Sequence, residues 1–117
     1  MDEEELKRRT KRFALQVMAL VESLPKTLVG RAIGNQLVRC GTSVGANYRA
    51  ACRGRSKAEF AAKLGTVEEE ADESGYWMEL IIEGKLLEEE QVVPLLQEAN
   101  EIAAIMAASR KTMARQR

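Results

Sequence analysis

Apolar residues return every three or four positions along nearly the whole chain. That period leaves little to fold into except helices packed on helices. The first stripe is Phe13, Val17, Leu20, Val21 and Leu24, and the second is Ile33, Leu37, Val44 and Ala51. The third is the longest, running Phe60, Leu64, Val67, Ala71, Ser74, Met78 and Ile81, and the fourth holds Leu95, Ala99, Ile102, Met106 and Met113. Sixteen alanines support helix throughout. The only two prolines, Pro25 and Pro94, fall where a stripe stops or starts. The spacing predicts helices over about residues 3–24, 29–52, 57–83 and 93–112. Four amphipathic helices on short links can bury their stripes only against one another. A single domain over 1–117 follows, an all-α, antiparallel up-down-up-down four-helix bundle.

Local signals agree with these limits. Glu3, Glu4 and Glu5 stand four residues ahead of Lys7, Arg8 and Arg9, the favourable order for helical ion pairs. Ser56 with Glu59 reads as a capping box opening the third helix. Gly84 suits its C-cap, and Pro94 suits the first turn of the fourth. Gly34, Gly41 and Gly45 each weaken the second helix, so they need a reason. Either another helix approaches closely there, or the helix kinks near Gly41.

The 18 basic and 18 acidic residues cancel in total but not along the chain. Residues 31–63 carry seven basic side chains against Glu59 alone, and residues 64–101 carry twelve acids against Lys85. One reading pairs a basic second helix with an acidic third inside the bundle. The other exposes Arg39, Arg49, Arg53, Arg55 and Lys57 as contacts for RNA or DNA phosphates. Aromatic residues are nearly absent from that stretch, so backbone contact rather than base stacking is the expected mode. On the third helix Tyr76, Trp77 and Leu80 leave the core stripe within one turn. They form a candidate contact face for a second copy or another protein partner, the alternative being burial against the fourth helix. Gln36, Asn47 and Glu70 are candidates for a buried polar network that sets helix register.

The absence of histidine excludes the usual catalytic triads and the Glu-x-x-His metal sites of helical bundles. No catalytic, cofactor or metal residue is assigned. GTSVGAN, residues 41–47, lacks the Gly-Lys-[Ser/Thr] ending of a phosphate loop, and Thr42 and Ser43 are expected to bond to the preceding helical turn. Cys40 and Cys52, twelve residues apart on one predicted helix, lie about 18 Å from each other, beyond disulfide reach. The start MDEEELKRRTKR is unlike a signal peptide, and no apolar run is long enough to span a membrane. A reduced, cytoplasmic setting is expected.

The order of polar residues carries more specific information. Gln36, Leu37, Arg39, Thr42, Ser43, Ala46, Asn47, Tyr48 and Arg49 are followed by Arg55, Ser56, Glu59 and Phe60. Glu70, Ala71, Glu73, Tyr76, Trp77, Glu79 and Leu80 come next. This pattern resembles the four helix bundle protein family, also called 23S ribosomal RNA intervening-sequence proteins. One departure is Ala50, where relatives usually carry glutamate. The family takes its name from gene location, not from an activity. The chain is distantly similar also to accessory variability proteins of diversity-generating retroelements, which are barrel-shaped pentamers that bind nucleic acid. By that resemblance a ring-like homo-oligomer, a pentamer in those proteins, is implied here.

Overall fold

The computed structural model describes residues 1–115 and holds four helices: α1 Glu3–Glu22, α2 Leu28–Cys52, α3 Lys57–Glu83 and α4 Glu89–Arg115. Each packs on the next, and α4 returns to meet α1. α1 lies diagonally across from α3, and α2 from α4, at the corners of a bundle 49 × 21 × 19 Å in extent. The all-α antiparallel architecture expected from the stripes is the one observed. Phe13, Val17, Leu37, Val44, Leu64, Val67, Met78, Ile81, Ile102 and Met106 are fully buried. Each large side chain withdrawn in this way contributes about 1.5–3 kcal/mol. Ile33, Phe60 and Met113, near the helix ends, are only partly covered.

The helix starts follow their caps. Asp2 accepts from Glu5 N at 2.8 Å, Thr27 from Gly30 N at 3.1 Å and Ser56 from Glu59 N at 3.1 Å. Gly84 is the C-cap of α3 as expected, but the left-handed residue falls one position later, and the start of α4 differs from expectation. At the end of α3, Gly84 is in the right-handed region, and Lys85 takes the left-handed conformation with φ 58°. Leu86 N donates to Ile81 O at 2.9 Å and Lys85 N to Ile82 O at 3.0 Å, a Schellman ending with lysine in the usual glycine place. Glycine is required one residue earlier for another reason, since a Cβ on Gly84 would stand 2.8 Å from Leu80 O. α4 begins at Glu89, four residues before its expected start, so Pro94 lies in its second turn and not its first. Acidic residues at 88–90 favour a helix N-terminus, and Gln91 Oε1 accepts from Glu88 N at 3.2 Å.

The glycines of α2 answer to close packing. The helix runs unbroken, and a Cβ on Gly41 would come within 2.7 Å of a Val17 methyl. On Gly34 it would stand 3.1 Å from Val21 Cγ1, and on Gly45 3.3 Å from the Thr10 backbone oxygen. α1 therefore lies against α2 along its length. α1 and α4 meet less closely. A groove of about 640 Å³ separates them, lined by Arg12, Gln16, Leu20, Pro94, Leu95 and Glu98 among others. Arg9 ties the two helices together through Glu98 at 2.7 Å and Glu101 at 3.1 Å.

Candidate functional site

The antiparallel order puts the N-termini of α1 and α3, the C-termini of α2 and α4 and the 53–56 link at one end of the bundle. The halves of the helices toward that end, residues 1–12, 40–70 and 102–115, carry thirteen basic and eight acidic side chains. The opposite halves, residues 13–39 and 71–101, carry four basic and ten acidic. Charge alternation along the chain thus becomes polarity along the bundle axis.

At the basic end, α1 and α2 flank a shallow cavity of about 300 Å³ lined by Glu4, Lys7, Arg8, Lys11 and Arg49. Lys7 is held by Glu3 at 3.3 Å and Glu4 at 3.5 Å, and the bond it donates to Glu3 holds its pKa above the ordinary value. Arg8, Lys11 and Arg49 are exposed and have no ion-pair partner among the described residues. Arg53 ends α2, Arg55 lies in the link and Lys57 opens α3, all three likewise exposed and unpaired. Four of the five expected phosphate-contacting residues therefore share this end of the molecule.

Arg39 is placed otherwise. Its guanidinium reaches across to α3, meeting Glu73 and lying 3.6 Å from Glu70. Pairing inside the bundle is thus realised at this one arginine of the set. Trp77 Nε1 donates to the same Glu73 at 3.1 Å, so the indole lies half-buried against the core. Glu70 Oε2 has no hydrogen-bond donor, and desolvation pushes its carboxyl above the usual range, with Arg39 opposing the shift.

The expected polar network of Gln36, Asn47 and Glu70 is not assembled. Gln36 is exposed, and the half-buried Asn47 donates to Ser43 O in its own helix at 2.9 Å. A short amide satisfied one turn back needs no partner on another helix. Thr42 and Ser43 bond as expected, to Val38 O at 2.6 Å and Arg39 O at 2.7 Å. The three candidate contact residues also separate. Trp77 and Leu80 are half-buried, whereas Tyr76 is 53% exposed and meets the Trp77 ring edge-on at 5.2 Å.

Residues 3–108 match the family described as 23S rRNA-intervening sequence protein. The chain belongs to this family. It is similar to a crystal structure of a protein with unknown function from the S23 ribosomal protein family of Bacteroides thetaiotaomicron, with 31% identity and a TM-score of 0.84. That likeness covers 90% of this chain and 97% of the other. No curated protein matches the chain. No helix among the described residues of this family member is long and apolar enough to cross a membrane.

The α1 cations of the cleft were missed by sequence reasoning, which paired Arg8 with Glu4 and Arg9 with Glu5. Neither pair forms; Arg9 turns to α4 instead. The signal was present in the spacing, because positions 7, 8 and 11 share an arc of α1, but nothing local says that Arg49 faces it.

Proposed function

We propose that this protein is a non-enzymatic helical scaffold that binds the phosphate backbone of RNA or DNA at its basic end and self-associates into a ring-like homo-oligomer. The observation that carries the reading is the convergence of Arg49, Arg53, Arg55 and Lys57, exposed and with no ion-pair partner among the described residues, around one end of the bundle. Arginine presents planar, bidentate donors that match phosphate oxygens, and clustered cations gain affinity by releasing condensed counterions. Arg39 drops out of the set because two carboxylates hold it. A family described by an intervening sequence of ribosomal RNA is consistent with a nucleic-acid partner. Self-association is supported by large apolar side chains left on outer faces, Leu15, Met18 and Tyr76. A scaffold without chemistry of its own fits a chain with no histidine.

Binding of a mixed-sequence single-stranded RNA, followed by fluorescence anisotropy at 50 and 200 mM salt, tests the phosphate contact. Three to four neutralised phosphates weaken binding roughly 20- to 50-fold across that range. Changing Arg49, Arg53 and Arg55 together to alanine flattens the salt slope by about two. No binding at low salt, or unchanged binding by the triple variant, overturns the reading and leaves a protein-only adaptor in its place.

A further inference from the structure

Beyond Glu59 in its first turn, the acids of α3 fall into two groups. Glu68 is held by Arg110, and Glu70 and Glu73 by Arg39. Glu69, Asp72, Glu79 and Glu83 are exposed, with no ion-pair partner among the described residues. Together with Tyr76 these four stand at intervals of three, four, three and four residues, the spacing of a helix-packing seam, yet on the face turned away from the core. α1 repeats the same interval on its own outer face with Arg8, Lys11, Leu15, Met18 and Glu22, every one exposed. One seam is acidic around an aromatic ring, and the other is basic beside two aliphatic side chains.

Like charges along a helix face are destabilising unless something meets them, and an exposed aliphatic pair gains by being covered. The two seams also agree in height. Val17 packs on Gly41, and the neighbouring Cys40 accepts from Ser74 Oγ at 3.3 Å, which sets Met18 and Tyr76 at nearly the same level of the bundle. We infer that the outer seam of α1 in one copy docks on the outer seam of α3 in the next. Arg8 and Lys11 then face Glu69 and Asp72, and Leu15 and Met18 cover the Tyr76 ring. Glu22 meets acids at the far end of the seam, where Lys26, 4.0 Å from it, offsets their repulsion. Because α1 and α3 occupy opposite corners, the contact is head-to-tail and repeats from copy to copy, closing into a ring where the rotation between copies allows it and extending as a filament where it does not. The assignment rests on the self-association proposed above and supplies its surfaces.

The test is solution mass by light scattering on nuclease-treated protein at tens of micromolar. The native chain is expected above 13 kDa, the mass of one copy. Arg8→Glu with Lys11→Glu is expected to raise the dissociation constant at least about tenfold, as is Glu69→Lys with Asp72→Lys. Combining all four substitutions in one chain restores the assembly, since the seams are then complementary again with the signs exchanged. Circular dichroism checks that each variant keeps its helix content. A native chain that is monomeric overturns self-association itself. An assembly that ignores both charge reversals, or is not restored by combining them, overturns only the choice of seams. A native monomer that takes up an added acidic amphipathic peptide on α1 assigns the seam to another protein and also overturns the proposal.

Discussion

Val17 shows how little room one residue leaves. It is fully buried, and its two methyls would stand 2.7 and 2.9 Å from a Cβ on Gly41. A β-branched side chain has few rotamers to retreat into. Gly41→Ala therefore gains about 1 kcal/mol of helix propensity but meets about 1–3 kcal/mol of overpacking. A lower urea midpoint than the native protein is expected. Gly65 on α3 gives the contrast, because its nearest neighbour is the flexible Arg110 Cδ at 3.6 Å. Gly65→Ala is expected to raise stability by about 0.5–1 kcal/mol in the same titration. The same residue type thus has opposite consequences at the two positions, decided by which atoms lie opposite. Asn47 teaches the converse. Its place near the buried stripe suggested a long-range network, and a bond to Ser43 O within its own helix satisfies it.

Among the elements, the boundaries written in side chains were the most legible. Ser56 caps α3 as its spacing with Glu59 predicts, and the helix begins at Lys57 and ends at Glu83 as expected. The start of α4 is set by the acids before Pro94 and not by the proline. A proline in the second turn loses only one backbone bond, while Glu88, Glu89 and Glu90 favour a helix start upstream. The end of α3 carries a cost that glycine at 84 does not remove. Lys85, not Gly84, holds the left-handed conformation, which a lysine adopts at roughly 1 kcal/mol. Lys85→Gly is expected to raise the thermal midpoint by several degrees, corresponding to about 1 kcal/mol, with no change in helix content by circular dichroism.

For the whole molecule, the weak side is the one between the first helix and the last. α1 packs tightly on α2 and leaves a groove toward α4, across which the mostly covered Arg9 reaches Glu98 with two donors. A charged hydrogen-bonded pair of this kind contributes about 1.5–3 kcal/mol. Arg9→Met retains the stem's packing and removes the charge. It is expected to lower stability by about that amount and to speed amide exchange in α1 more than in α2 or α3. The axial polarity of charge also exists only at this scale. It comes from antiparallel packing, which gathers the basic helix ends at one pole and the acidic ones at the other.

The apolar period by itself determined that the chain is helical, that it has four helices and that they bundle, because a three-four stripe can be buried only by another such stripe. The order of polar residues in the second and third helices determined the family. What the tertiary structure decided was pairing. Whether Arg9 turns to Glu5 or Glu98, whether Arg39 is free or held by Glu73, and whether Trp77 lies in or out depend on neighbours tens of residues away. A stripe records that a helix has a buried side. It does not record which helix covers the flanks of that side, and there the long charged side chains find their partners.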